Sequence, residues 1–270
     1  MCSLKNHLYL FMLFTLLFTL SCKKHKPLAK SPTPEEKQPD QVLIPVKLEA
    51  SSLVITLKYK ENTAQLIAIE SNDGHKIAIS YNNKLQLSVL EKYRNNQLYY
   101  AAYYETNAQK LVLRTNQFEH DPIFNSFTPI GFYTLDYNGQ QQITGVKYYG
   151  NSSTDQLLRS YSLAYSSSQN LSANTVAIYP NQTNQLNYSF DNKKGIASHI
   201  AESWLFAFEA EYWFLLSSVN NILSYSNQKT PAENTGFSYE YNTDGYPSKM
   251  TITGNKSTQV FKITYKTLQQ

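Results

Sequence analysis

Residues 237–265, FSYEYNTDGYPSKMTITGNKSTQVFKITY, constrain the fold more than any other stretch of this chain. Phe237, Tyr239 and Tyr241 alternate with Ser238 and Glu240, the two-residue period of a half-buried strand. Asp244-Gly245 supplies a turn, because glycine accepts the positive φ that tight hairpins need. Met250-Thr251-Ile252 runs back, Gly254-Asn255 turns again, and residues 260–265 alternate once more. The stretch therefore predicts a three-strand meander. Weaker copies of it run through the chain. Each ends a strand on an aromatic: Tyr59, Tyr81, Tyr104, Tyr137, Tyr165, Phe190, Tyr241 and Tyr265. The spacing is mostly about 22–28 residues, the length of one hairpin. Polar turn residues follow most of these anchors, and then an apolar position: Leu66, Leu111, Ile143, Leu171, Ile196 or Pro247. A lone hairpin is marginal in water, so successive hairpins must pair into one sheet. The expected fold is mainly β, an extended, curved antiparallel β-meander of repeated hairpins.

The interval from Phe190 to Tyr241 is twice the usual length and holds the one helix candidate, about 198–217. Ile200, Trp204, Phe208 and Leu215 share one face, widened by Leu205, Tyr212 and Leu216. Phe206, Trp213 and Phe214 make the segment apolar nearly all round, which predicts burial. We expect an inserted α-helix packed on the sheet, with Trp204 and Phe208 facing it together. An interfacial membrane helix would need a Lys/Arg face that the flanks lack.

The N-terminus reads as a targeting segment. Lys5 precedes an apolar run over residues 8–20, about 13 residues long, the size of a signal-peptide core and short for a membrane span. Ser21-Cys22 follows, and a Cys after a small residue at the end of such a run resembles a bacterial lipobox, with Thr19 where Leu is usual. That resemblance implies cleavage before Cys22 and lipidation of it; an ordinary secretory signal cut near Ser21 is the alternative. The expected organisation is a signal peptide over 1–21, a tether over 22–45 punctuated by Pro27, Pro32, Pro34, Pro39 and Pro45, and a β domain over 46–270. Cys2 and Cys22 are the chain's only cysteines, so the mature domain has no thiol for a disulfide, a metal or nucleophilic catalysis.

Chemistry-bearing motifs are scarce. His75, His120 and His199 are isolated, without the spacing of a metal site. No nucleophile elbow or phosphate loop is present. Glu202, Glu209 and Glu211 are the best acid/base candidates, yet on one helix they read as a solvent-facing stripe. Asp136, Asp191 and Asp244 sit at strand ends or turns, where Asp bonds its own backbone. The net charge of +4 is scattered, unlike the dense basic footprint of a nucleic-acid binder. No catalytic residue, cofactor or metal is expected. Tyrosine, at 22 residues, is abundant, and the doublets Tyr99-Tyr100, Tyr103-Tyr104 and Tyr148-Tyr149 each send one ring to either side of a strand.

The run Tyr239-Glu240-Tyr241-Asn242-Thr243-Asp244-Gly245-Tyr246-Pro247 resembles the tyrosine-aspartate (YD, Rhs-like) hairpin repeats. With the lipobox, and with Asp191-Asn192-Lys193 before the insertion and Asn220-Asn221-Ile222 after it, the chain resembles uncharacterised YD-repeat lipoproteins of Bacteroidota. At motif level the likeness covers residues 186–265; the middle repeats lack the Asp-Gly pair. It implies a curved antiparallel sheet and an envelope role, and it transfers no catalytic residue. Lysines, in place of an acidic export signal, follow Cys22, which points to the periplasmic face of the outer membrane. The reading is a non-enzymatic, monomeric envelope lipoprotein acting as an interaction or structural module. Its partners would be the membrane, through the lipid, and a protein or glycan. Two alternatives stand beside it: carbohydrate binding by exposed Tyr99, Tyr103 and Tyr148, or a carrier whose cavity lies under the insertion. If Cys22 carries the only anchor, Cys22→Ser should move the protein from the membrane pellet to the soluble fraction, read by fractionation.

Overall fold

The computed structural model describes residues 42–151, 155–210, 215, 219–255 and 257–268, all within the compact unit Asp40–Gln270. The signal peptide, Cys22 and nearly all of the expected tether lie outside the described residues, as do Glu211, Tyr212, Trp213, Phe214 and Leu216. The strands are β1 (Leu43–Glu49), β2 (Val54–Tyr59), β3 (Leu66–Ser71), β4 (His75–Tyr81), β5 (Leu87–Arg94) and β6 (Gln97–Thr106). They continue as β7 (Val112–Asp121), β8 (Ser126–Tyr137), β9 (Ile143–Gly150), β10 (Leu157–Tyr165) and β11 (Leu171–Ile178). The last are β12 (Gln182–Phe190), β13 (Ile222–Asn227), β14 (Thr235–Tyr241), β15 (Pro247–Thr253) and β16 (Thr258–Thr267). Every strand pairs antiparallel with its neighbour in sequence, as a meander does.

The meander is not open. β1 pairs with β16 from Leu43↔Thr267 to Glu49↔Lys262, and the sheet closes into a barrel. Closure removes the two unpaired edges that an extended sheet would present. Local pattern could not show it, because β1 starts at Leu43, inside the segment read as a Pro-rich tether. Pro45 is tolerated there because it stands at a register shift, where its missing N–H breaks no regular ladder.

The sequence repeat has a physical basis. The connections after β4, β6, β8, β10 and β14 share one geometry, opening on Asn82, Asn107, Asn138, Ser166 and Asn242. The N–H of this first residue bonds the carbonyl four on, and its own carbonyl accepts the N–H three on. Each Asn Oδ1 also accepts the N–H groups two and four on, as in Lys84 and Gln86 to Asn82 at 2.9 and 3.1 Å. Ser166 Oγ takes the N–H of Asn170. The fourth turn residue is left-handed in all of them: Leu85, Lys110, Gln141 and Gln169 at φ 57° to 66°, and Gly245 at 80°. The Asn cage therefore holds the turn where the Asp-Gly pair is missing. A register shift follows in each, setting Tyr81 opposite Leu87, Thr106 opposite Val112, Tyr137 opposite Ile143, Tyr165 opposite Leu171 and Tyr241 opposite Pro247. Val112, not Leu111, opens β7. Tyrosine hydroxyls lock the same rim, donating to the carbonyls of Pro45, Leu66, Val112, Ile143 and Ile222 from Tyr59, Tyr81, Tyr137, Tyr165 and Tyr239 at 2.7–2.9 Å.

The expected helix over 198–217 is corrected. Its described part is irregular, with a single helical turn, α1 (Leu205–Phe208). The segment does not lie on an outer face of a sheet. Ile196, Ile200, Leu205, Phe206 and Leu215 pack with wall residues such as Leu48, Leu66, Leu90 and Phe261 in one core, so the described residues of 191–221 form a plug inside the barrel. Phe206 is fully buried, the deepest aromatic among the described residues of the segment. Trp204 and Phe208 do adjoin each other, 6.3 Å between ring centroids, but are half-buried.

A non-glycine residue in the left-handed region costs about 1–2 kcal/mol. Leu85 is exposed, so its side chain contributes little to packing. Leu85→Gly should therefore stabilise the barrel by about 1 kcal/mol, and Leu85→Val should destabilise it, both read from urea unfolding midpoints.

Candidate functional site: a cavity between plug and wall

The plug begins and ends as a repeat turn does. Asp191 follows Phe190 where Asn follows Tyr elsewhere, and its Oδ1 accepts the N–H groups of Lys193 and Asn221, each at 3.0 Å. Asn221 closes the loop: its Nδ2 donates to Asp191 and to the Lys194 carbonyl, and its Oδ1 accepts the Ile196 N–H. Tyr241 donates to the same Asp191 carboxylate. Ile222 then pairs opposite Phe190.

Inside the barrel the plug is pinned by Glu209, which is 2% exposed. Its carboxylate accepts from Tyr133 Oη at 2.8 Å on β8 and Tyr100 Oη at 3.0 Å on β6, and pairs with Lys92 Nζ at 3.1 Å on β5. Lys92 also lies 4.0 Å from the Tyr100 ring centroid. Burial, reinforced by the Glu209 charge, pushes the Tyr100 and Tyr133 hydroxyls far above the usual tyrosine pKa, so both remain donors. Glu202 reaches Tyr81 Oη at 3.4 Å, and burial raises its carboxyl. Glu209 is therefore not the solvent-facing carboxylate expected from a helix, and Glu202 is only partly exposed.

The plug sits off-centre. Deeply buried apolar side chains come from β1–β9, β13–β16 and the plug, while β10 and β12 contribute none and β11 only Leu171. On that side a cavity of about 600 Å³ remains. Tyr148, Tyr161, Tyr188 and Tyr225 line its flanks, and Leu163, Leu171, Leu186, Ala207 and Phe208 its depth. Arg159 and Glu233, both exposed, mark a mouth at the rim opposite the plug's entry. Its size falls in the range of small-molecule sites. Arg159 stands over Tyr148 and Tyr161, 4.9 and 5.4 Å from their centroids. Asn174, 7% exposed, faces the cavity, and its Oδ1 has no hydrogen-bond partner.

Of the tyrosines singled out from sequence, Tyr148 is in this wall. Tyr99 and Tyr103 are on the outside, 39% and 42% exposed, and are not brought together with it. Tyr99 lies beneath Arg94, and Tyr103 meets Phe118 edge-on. Sequence reading missed Arg159, Tyr161, Asn174, Tyr188 and Tyr225. The alternation Arg159-x-Tyr161-x-Leu163 was legible as a strand face, but only ring closure makes that face interior.

The outer wall carries ion pairs: Lys58–Glu70, Lys147–Asp136, Lys249–Glu240 and, at longer range, Arg114–Glu105. A membrane-spanning barrel has an apolar outward band and a polar lumen. Here the described lumen is lined largely by apolar side chains, and the outer wall carries these charges beside exposed apolar groups such as Tyr103, Leu113, Phe127 and Ile130.

No protein-family model matches the chain, and no curated protein matches it. Solved structures do. A porin-like protein from Bacteroides vulgatus ATCC 8482 is 9% identical, with a TM-score of 0.50 over 83% of this chain and 99% of that one. A porin-like protein from Bacteroides uniformis ATCC 8492 is 13% identical, with a TM-score of 0.44 over 82% and 98%. The TcdB2–TccC3–Cdc42 complex is 13% identical, with a TM-score of 0.35 over 79% of this chain but 12% of that one. At these identities the likeness concerns the barrel fold alone.

Breaking one partner of a buried ion pair typically costs about 3–5 kcal/mol, whereas replacing both by apolar groups can be neutral. Glu209→Leu alone should destabilise by that order. Adding Lys92→Met should recover much of the loss, as measured in a double-mutant cycle of chemical denaturation.

Proposed function

We propose that this chain is a non-enzymatic binding protein of the bacterial envelope that holds a small amphipathic molecule inside a plugged, water-facing barrel. The observation that carries the reading is the cavity beside Ala207 and Phe208: aromatic flanks, a leucine-lined depth, and a few polar groups that could orient a guest. It favours the carrier among the readings open from sequence. A glycan platform would need a row of exposed rings, and the three tyrosines proposed for it are split between the two faces of the wall.

A non-catalytic role is supported by where the carboxylates go. Glu209 is committed to Tyr100, Tyr133 and Lys92, and Glu202 lies in the plug away from the cavity. Envelope localisation rests on the N-terminal targeting segment, and lipid anchoring rests on Cys22. The hairpin geometry is compatible with the YD-repeat resemblance, whose Tyr-Asn-x-x-Gly turn is the one that recurs here.

The test is native mass spectrometry of the full chain purified without detergent, with organic extraction of any guest. The expected result is one small amphipathic molecule per chain, absent from Leu163→Trp, which fills the cavity, while circular dichroism of that variant stays β-type. A wild-type protein that carries nothing and does not enhance the fluorescence of Nile red overturns the carrier reading.

A further inference from the structure

The polar groups of the cavity are few enough to specify its guest. Arg159 brings a cation to the mouth, and its guanidinium is spread over two tyrosine rings. Among the described residues no carboxylate lies within ion-pair distance of it. Glu233, the acidic residue of the cavity lining, is engaged elsewhere: its Oε2 accepts from Asn227 Nδ2 at 2.7 Å. Asn227 in turn uses its Oδ1 to cap the N–H groups of Lys229 and Thr230, so this pair builds the β13–β14 turn.

Deeper in, Asn174 presents an amide oxygen with no partner in a site that is nine-tenths buried. An unpaired buried polar group is costly, and a guest that hydrogen-bonds to it recovers that cost. Asn174 lies in the cavity wall beside Tyr188 and Leu186. Pairing across the wall fixes the spacing. Arg159 is opposite Ile178 and Leu163 is opposite Asn174, so the two polar points are four residues apart along the strands. At about 3.3 Å per residue that is roughly 13 Å. Between and below them the lining is Tyr161, Leu163, Leu186, Tyr188 and Phe208.

We propose that the cavity takes an amphipathic organic acid: an anionic group at Arg159, an apolar body against Leu163, Leu186 and Phe208, and a polar group hydrogen-bonded to the Asn174 amide. The inference rests on the carrier reading and adds charge and polarity to it. The anionic group is a carboxylate or a phosphate monoester, both of which an arginine fork accepts. A neutral lipid leaves the guanidinium without a counter-charge, and a fully apolar one leaves the amide unpaired.

The experiment is displacement of Nile red from the full chain, stripped of any guest, by lauric acid, ω-hydroxylauric acid, lauryl phosphate, lauryl alcohol and maltotriose. The acids should bind more tightly than lauryl alcohol, and the ω-hydroxy acid most tightly. Arg159→Gln should weaken the acids about ten-fold and leave lauryl alcohol unchanged. Asn174→Leu should abolish the advantage of the hydroxyl while preserving laurate binding, which also reports that the variant folds. The carboxylate and phosphate arms decide between the two anionic sources. Equal affinity for acid and alcohol, or an unaltered acid affinity in Arg159→Gln, overturns the anion assignment while Nile red binding upholds the cavity. Displacement by maltotriose alone overturns the lipid-like body. Failure of Nile red itself to bind removes the carrier reading beneath both.

Discussion

A ring of sixteen strands is too wide for its own side chains to fill. A barrel of about eight strands closes over a packed interior, and one of about sixteen leaves a lumen that water or another structure must occupy. This chain points Ile, Leu and Tyr inward, so water is not an acceptable filling. The barrel therefore depends on residues 191–221, and those residues depend on the barrel, because an irregular apolar segment has nowhere else to bury its backbone. The polar contacts follow from that mutual need. Inside a closed wall, a carboxylate such as Glu209 must find donors or forgo its charge, and it finds two tyrosine hydroxyls and a lysine. The same packing problem generates the cavity. The described residues of the 31-residue connection from Asp191 to Asn221 leave space along β10–β12.

The repeat explains how so large a ring is specified locally. The five hairpins that share the turn carry their own instructions: an Asn, or Ser166, to cage the turn, a left-handed fourth residue, an apolar residue to open the next strand and, in all but β6, a tyrosine to end the even strand. The register shift beside each turn adds local twist, and identical shifts at one rim give the curvature that brings β16 back to β1. A tyrosine hydroxyl on a carbonyl of the neighbouring strand fixes that rim further. The plug interrupts one such turn without altering its ends, since Asp191 and Asn221 still bond as the first and last residues of a turn do.

This division also sets what could be read from the sequence. Strand identity, antiparallel neighbour pairing and the position of the insertion follow from period-two alternation and from turn residues, all local signals. Closure does not, because Leu43↔Thr267 joins residues more than two hundred positions apart and Pro45 disguises the first strand. The helix over 198–217 was expected for a sound reason, apolar residues on every side, but burial on every side is equally the mark of a segment enclosed by a wall. The site followed closure out of reach. Tyr148 was singled out as half of a doublet, while Arg159 and Asn174 carry no motif: each becomes notable only when its strand face is known to line a lumen and its partners can be counted.

Polarity then argues for what the ring does. The likeness to porin-like barrels is one of strand arrangement, and strand arrangement does not decide which side meets lipid. Side chains do. Lysine–carboxylate pairs stand on the outer wall at β2–β3, β8–β9 and β14–β15, where a bilayer would make each an expensive defect. The lumen that would conduct in a membrane barrel is here packed with aliphatic and aromatic groups up to the edge of one aromatic-lined pocket. Its mouth lies at the rim opposite Leu43 and Thr267, so neither end of the ring crowds it. In the carrier we propose, the packed interior leaves an aromatic-lined pocket beside the plug, and the groups at its mouth, Arg159 first among them, would select the guest.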